Sequence, residues 1–535
     1  MSAPCLEFLA PSRLATDALV SLIGERRRLA EERARPSEHV FYDTFDWALW
    51  ADGGILERRK EEKVFTLIWS GIDQGSEPLS QPAPTEPAFA ADLGPGPVRE
   101  RILNPAGIRR LLPVMGIRTR TRRLRLLDDE DKTVARIAID QSRFEDPVGG
   151  REGDLRVRLR VLPVRGYDSE RDSALDMLSG ELGLEPATTP TVLEALTAAG
   201  RRPGDYSSKI DFSLDPNERA DSVAKTILLG LLDTLERNVP GARANLDSEF
   251  LHDLRVAVRR TRSALTQIRD VFPDPVVGHY RERFTWLQQL TGPVRDLDVY
   301  LLEFDSYQQS LPEPLRPHLE PLRTFILSHY DGEQRRLAEA LGSQEFTDLI
   351  GKWRDFLHTP VPEVADAADA ERPIKALADA RIRRMAKRVR REGRALTPQS
   401  PAADMHELRK SCKKLRYLME FFQSLCPGDD IRALVKLLKV LLDNLGSFQD
   451  IAVQTGHLRE LAVRMRAEHK AETDTLLAVG ALIGDLLARQ RSTREEFAEL
   501  FAEFVTDETQ QRFRALFGRH PDASGDRAAG TEAAA

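Results

Sequence analysis

The chain has 535 residues, 41% hydrophobic and 30% charged, so it can bury real cores, and at about 150 residues per domain it holds three or four of them. Lysine and arginine total 78 against 85 aspartates and glutamates, a formal charge of −7; this excludes bulk attraction to nucleic acid or anionic membrane and confines any polyanion site to a local patch. The three cysteines, Cys5, Cys412 and Cys426, have no paired spacing, which excludes a disulfide framework or a cysteine zinc site.

Near the N-terminus, Leu14 to Ile23 is interrupted by Thr16, Asp17 and Ser21, and its basic cluster Arg26–Arg28 follows it. A secretory leader has the reverse order, so a cytoplasmic protein is expected. Strand-period alternation marks Val64–Ser70, Ile117–Leu127, Thr133–Asp140 and Leu155–Val164. Between them, Gly71–Pro97 carries six prolines and little periodicity, which predicts a long, mobile loop. Residues 1–200 thus form one domain, and 201–217, with Pro203, Gly204, Ser207, Ser208 and Pro216, read as a linker. From 218 to 518 apolar residues recur at helical spacing, in two units of about 218–370 and 371–518. The best apolar run there, Leu476–Leu487, contains two glycines and Asp485 and falls short of the roughly 20 residues a membrane span needs. Residues 519–535 have almost no large apolar side chain and predict a disordered tail.

The division of the helical half into two units rests on an internal repeat. His252-Asp-Leu-Arg255-Val-Ala-Val-Arg259-Arg260-Thr-Arg262 matches His406-Glu-Leu-Arg409-Lys-Ser-Cys-Lys413-Lys414-Leu-Arg416 at an offset of 154. Forty residues after each histidine, Gly292-Pro-Val-Arg295-Asp296 matches Gly446-Ser-Phe-Gln449-Asp450 at the same offset. A shared offset without a gap predicts two copies of a helical unit, related by a pseudo-two-fold axis.

On a helix, His252, Arg255, Arg259 and Arg262 fall within about 80° of one another, beside an apolar face of Leu251, Leu254, Val258 and Leu265. His406, Arg409, Lys413 and Arg416 repeat the stripe. A third basic helix precedes the second motif, with Arg381, Arg384 and Arg388 among its cations; from Ala378 to Glu420 there are 13 basic residues against five acidic ones. Such a face repels itself unless an anion or nearby carboxylates compensate it. Guanidinium forks fit phosphate oxygens, and lysines add point charge. A charge run on one helix is ordinarily a solvated face; recurrence at a constant offset favours function here. The histidines can equally cap or hydrogen-bond within the bundle, and neither has a second histidine at a helical metal-ligand spacing. Asp296 and Asp450 are expected to pair with arginines or hold the turn after each glycine.

This motif pair resembles the CHAD domain, a helical domain named for its conserved histidines, over roughly residues 218–518. The resemblance implies two similar helical bundles facing each other across a basic cavity that binds inorganic polyphosphate. It implies ligand contacts from His252, Arg255, Arg259, Arg260 and Arg262, and from His406, Arg409, Lys413, Lys414 and Arg416; Gln449 departs from Arg295.

The first 200 residues resemble the CYTH, or triphosphate tunnel, family on Phe41-Tyr42-Asp43-Thr44, Leu49–Arg59, the Arg118/Arg120/Arg122 strand, Ala138-Ile139-Asp140 and Leu155–Val161. That family implies an antiparallel β-barrel tunnel using a metal ion on triphosphates. Its E-x-E-x-K hallmark is reduced here to Glu7 in Cys5-Leu6-Glu7-Phe8-Leu9, and the closing strand carries Arg156, Arg158 and Arg160 where the family has glutamates. Hard cations need oxygen ligands that guanidinium cannot supply. The arginine face either lines the tunnel and holds an anion, or is neutralised by carboxylates of neighbouring strands.

The expectation is therefore an α+β multidomain protein: an N-terminal antiparallel β-barrel domain, then an all-α domain of two pseudo-symmetric bundles. It binds inorganic polyphosphate without catalysis, cofactor or metal, and the resemblance suggests a location at polyphosphate granules. Two rivals stand beside this reading. One is a metal-dependent triphosphatase or adenylate-cyclase-like enzyme. The other is a nucleic-acid or acidic-partner scaffold, against which the basic stripes offer few aromatics for base stacking apart from Tyr417.

Overall fold

A computed structural model describes residues 7–11, 14–73 and 77–518, in two compact units that divide between Ser207 and Ser208. Cys5, Leu6 and the predicted tail 519–535 lie outside the described residues.

The N-terminal unit is an antiparallel sheet with short helices. Its strands are β1 (Glu7–Leu9), β2 (Leu29–Glu31), β3 (Arg35–Asp43), β4 (Gly54–Glu61), β5 (Val64–Gly71), β6 (Leu79–Pro82), β7 (Leu112–Leu127), β8 (Thr133–Glu145), β9 (Glu152–Asp154), β10 (Arg158–Leu162) and β11 (Glu185–Pro186). The helices are α1 (Thr16–Gly24), α2 (Ala48–Ala51), α3 (Pro97–Ala106), α4 (Asp168–Asp176) and α5 (Thr191–Ala198). The strand path is β11-β1-β10-β8-β7-β3-β4-β5-β6.

Period-two alternation gives the sheet two chemically different faces. Leu124, Leu126, Ile137, Ile139, Leu159 and Val161 bury one face together with Phe8 and side chains of α1 and α4. The register places the opposite side chains in one polar layer: Thr121 beside Asp140, Asp140 beside Arg158, and His39 beside Arg59.

Two expectations need correction. Gly71–Pro97 is not a single loop: β6 pairs antiparallel with β5, Trp69 opposite Leu79 and Thr66 opposite Pro82. A proline is tolerated there because an edge strand leaves one side of its backbone unpaired. Gln81 of this strand is buried, and its Oε1 accepts from the backbone N–H of Val98 and Arg99, satisfying the start of α3. Arg156 lies outside β10, so the arginine row is shorter on the sheet than its alternation predicts.

Within the predicted linker, both sides are packed. Arg201 pairs with buried Asp146 at 3.0 Å, and Trp47 donates to Asp205 at 2.8 Å, in the first unit. In the second, Gln423 donates to the Ile210 carbonyl and Leu214 N–H to the Ser424 hydroxyl.

The second unit is helical: α6 (Ala220–Arg243), α7 (Ser248–Gln267), α8 (Asp274–Leu290), α9 (Gly292–Ser310), α10 (Glu320–Leu341), α11 (Gln344–His358), α12 (Ile374–Ala395), α13 (Ala402–Phe421), α14 (Gly428–Ala467), α15 (Thr473–Phe504) and α16 (Asp507–Phe517). The starts of α6 and α12, of α7 and α13, and of α8 and α14 are each 154 residues apart. The copies differ at one point: α8 and α9 correspond to a single 40-residue helix, α14. Pro293 at the start of α9 cannot donate to the preceding turn, whereas Ser447 at the equivalent place leaves the helical ladder intact.

Reciprocal contacts mark the pseudo-two-fold axis. Ala220 N–H donates to the Arg372 carbonyl, and Ile374 N–H to the Glu218 carbonyl, both at 2.9 Å. The Tyr300 hydroxyl donates to the carbonyl of Gln454, its own equivalent in the other copy, at 3.2 Å. One core accordingly draws on both copies: Phe304 with Leu458, Tyr307 with Leu461, Leu311 with Met465, and Phe325 with Val479.

Close packing sets a local limit. A Cβ added to Gly393 of α12 would enter the ring of Phe501 on α15. Gly393→Ala is expected to lower stability by about 1–3 kcal/mol, even though alanine is the better helix former. Urea unfolding of the full chain checks this; an unchanged midpoint would show that Phe501 can move aside.

Candidate functional site

The cation rows are presented by α7 and α13. Asp247 caps α7, accepting from the N–H groups of Glu249 and Phe250. Leu251, Leu254, Val258 and Leu265 are all buried, which fixes the rotation of the helix and leaves the basic stripe at the edge of the core.

In the first copy the row meets neutral acceptors. Arg255 donates to the Gln288 carbonyl at 3.1 Å and to the Thr291 hydroxyl at 2.9 Å. Arg262 donates to the Gln288 side chain. Arg295 donates to Nδ1 of His252 at 3.0 Å and to the Ser248 carbonyl at 3.3 Å. Burial and then neighbouring Arg259 pull Arg255 down to about 10. Burial, then Arg295, pushes His252 down to about 4, so its imidazole is neutral at pH 7 and accepts from Arg295.

The second copy is more neutralised. Arg409 pairs with Asp450 at 2.9 Å, and Arg416 with Glu420 at 2.6 Å. Asp450 thus pairs with an arginine; no turn exists at Gly446, which lies inside α14. Lys413 is pulled down to about 8 by burial first, then by Arg409 and Arg259. Arg259 and Lys413 are repeat equivalents that repel each other, so the two rows face one another across the axis. The Nε groups of Arg259 and Arg409 and Nδ1 of His406 are buried without a hydrogen-bond partner among the described residues. Buried polar atoms left unpaired are costly unless a partner reaches them.

Other predicted residues stand apart. Arg260 is buried against the Ser208 carbonyl at 2.7 Å, with Glu420 at 3.5 Å. Arg381 is held by Asp369 at 2.8 Å and Asp270 at 3.2 Å. Arg384 and Arg388 lie on the exposed side of α12; Arg388 lowers Lys414, after the larger effect of burial. Gln288, Thr291 and Glu420 were not singled out from sequence. Only Glu420 carried a readable signal, its i+4 spacing from Arg416.

On the polar face of the N-terminal sheet, the arginine row is neutralised by carboxylates. Arg158, 4% exposed, binds Glu7 at 3.1 Å and Glu194 at 2.8 Å. Arg160 binds Asp140 at 2.8 Å, and Arg156 binds Glu185 at 3.0 Å. The donor set does not fit a hard metal ion: Glu7 faces a guanidinium, and no group of three or more His, Cys, Asp or Glu is placed to hold a metal ion among the described residues. The same face carries a chain unseen in the sequence. The Ser37 hydroxyl meets His39 Nε2 at 2.8 Å, and His39 Nδ1 meets Glu57 at 2.7 Å. Glu57 also binds Arg59. Strand β3 is paired on both sides, with β4 and β7, so its backbone offers no free N–H pair to stabilise an oxyanion at Ser37.

No helix among the described residues is long and apolar enough to cross a membrane. The CHAD domain family model matches residues 226–459. Two curated proteins of Mycobacterium tuberculosis (strains CDC 1551 / Oshkosh and ATCC 25618 / H37Rv), both known only as uncharacterized, are 29% identical over 235 residues. That stretch is 42% of this chain and 42% of theirs, so the chain spans under half the length of the curated relatives it matches. The solved CHAD domain of the plant Ricinus communis is 25% identical, covering 58% of this chain and 96% of that one, with a TM-score of 0.46. A putative adenylyl cyclase from Hippeastrum, described as having a dominant triphosphatase activity, is 12% identical and covers 38% of this chain and 100% of its own, with a TM-score of 0.26. The CHAD match lies within the helical half and spans both copies of the repeated motif.

Proposed function

We propose that the helical half binds inorganic polyphosphate through the facing cation rows, without catalysis, and that this carries the protein to polyphosphate deposits. The observation behind the reading is the pair Arg259 and Lys413: equivalent cations that repel each other across the axis and have no close ion pair among the described residues. A polymer with a charge on every unit relieves that repulsion along its length, and each guanidinium can grip phosphate oxygens in a fork. The N-terminal half is read as non-catalytic because Arg158 occupies the carboxylate that the metal-dependent relatives it resembles would use.

The test is equilibrium binding of long-chain polyphosphate to the full chain at near-physiological salt, with duplex DNA at equal phosphate concentration as competitor. Tight binding that DNA does not displace is expected. Its log affinity should fall linearly with log salt, with a slope approaching one per phosphate neutralised. Easy displacement by DNA, or no binding, overturns the reading. Phosphate release from tripolyphosphate with Mg²⁺ or Mn²⁺ would overturn its non-catalytic part.

A further inference from the structure

The geometry points to an asymmetric site, an inference that rests on the polyphosphate reading: the first row grips the phosphate chain, while the second is latched by Glu420 and Asp450, which the chain must displace. The repeat allows each position to be compared with its equivalent. Arg255 and Arg409 match, yet Arg255 binds neutral oxygens and Arg409 binds Asp450. Arg262 and Arg416 match, yet Arg262 binds an amide and Arg416 binds Glu420. The position equivalent to Glu420 is Thr266, whose hydroxyl donates to the Arg262 carbonyl at 2.8 Å and carries no charge.

The helix break between α8 and α9 explains the difference. At the end of α8, the Gln288 carbonyl has lost its helical partner and accepts from Arg255. In the second copy the equivalent residue, Leu442, lies inside α14, where its carbonyl is engaged in the helical ladder. Leu445 there replaces Thr291, so no hydroxyl is offered either. Arg409 turns to Asp450, while Asp296, the equivalent carboxylate of the first copy, forms no close ion pair with Arg255. A phosphate chain entering the first row therefore displaces neutral groups, which bind a guanidinium more weakly than a carboxylate does. In the second row it competes with two resident carboxylates. Glu420 also reaches Arg260 of the first copy at 3.5 Å, so one latch holds cations from both copies.

Five variants of the full chain, titrated with long-chain polyphosphate, test this. Asp450→Asn and Glu420→Gln are each expected to bind about 3–10-fold more tightly than the parent. Asp429→Asn, which removes an exposed carboxylate paired with Arg432 at 2.6 Å, controls for net charge and should change affinity less than twofold. Arg255→Ala should weaken binding at least about fivefold more than Arg409→Ala, measured alongside. Equal losses for the two arginines, or latch variants no tighter than the charge control, overturn the asymmetry while leaving polyphosphate binding intact. A parent protein that binds no polyphosphate sinks both. Because Glu420 packs at the junction of the copies, a lowered melting temperature would disqualify that variant alone, and Asp450, exposed at the rim, then decides.

Discussion

A full-chain variant with Arg255, Arg259 and Lys413 all replaced by glutamine is expected to lose polyphosphate affinity by two orders of magnitude or more, while melting within a few degrees of the parent. Each charge-assisted hydrogen bond is worth about 1.5–3 kcal/mol, and the three side chains lie where the rows meet. Their removal costs the free protein the two Arg255 bonds to Gln288 and Thr291, which relief of mutual repulsion offsets: Arg259 lowers both Arg255 and Lys413. Ordinary binding-site residues that also stabilise the fold would behave differently, with affinity and melting temperature falling together. Retained affinity would show that the flanking cations Arg388 and Lys414 do the binding.

Lys413 adds a pH signature to the same experiment. Its folded value near 8 lies below the ordinary lysine value of 10.5. Polyphosphate requires the ammonium form, so affinity should fall as pH rises through about 8, and Lys413→Arg should flatten that fall. Stability of the free protein moves the other way. Between about 8 and 10.5 the unfolded chain binds the proton that the folded chain has lost, so this group's contribution to stability rises with pH across that window.

The sequence carried the repeat because two motifs and the segment between them keep one spacing, and the helix starts follow it faithfully. It carried the stripe because helical periodicity relates His252, Arg255, Arg259 and Arg262 without tertiary knowledge. The facing of the rows was not legible: it depends on where the axis runs, and Ala220, Ile374, Tyr300 and Gln454 reveal that only through contacts between copies. Nor was the fused helix, since replacing Pro293 with Ser447 removes a breaker without announcing what the continuous helix does to Arg409. In the first half, strand alternation found the long strands but could not assign faces. Whether Arg158 and Arg160 meet carboxylates or an open tunnel turns on the register that sets Arg158 beside Asp140 and Glu7 beside Arg160. The chain from Ser37 to Glu57 likewise needs the pairing of two strands. Proline content misread Gly71–Pro97, because an edge strand accepts prolines that a central one excludes.

Arg158→Met is the substitution expected to damage the N-terminal unit most. Methionine preserves much of the volume but strands Glu7 and Glu194, two carboxylates that now share one buried guanidinium. Breaking a buried ion pair from one side costs about 3–5 kcal/mol; both glutamates retain some solvent contact, so about 2–4 kcal/mol is expected here. Hydrogen–deuterium exchange of peptides covering β1 and β10 measures it in the full chain, and polyphosphate affinity should not change. Adding Glu7→Gln and Glu194→Gln should recover most of the loss, since the penalty belongs to the unpaired charges rather than to the missing side chain. Failure of that rescue would mean that Arg158 acts mainly through packing and its bond to the Thr189 carbonyl. Success would identify Arg158 as the fixed internal cation of this sheet, holding together carboxylates that would otherwise repel.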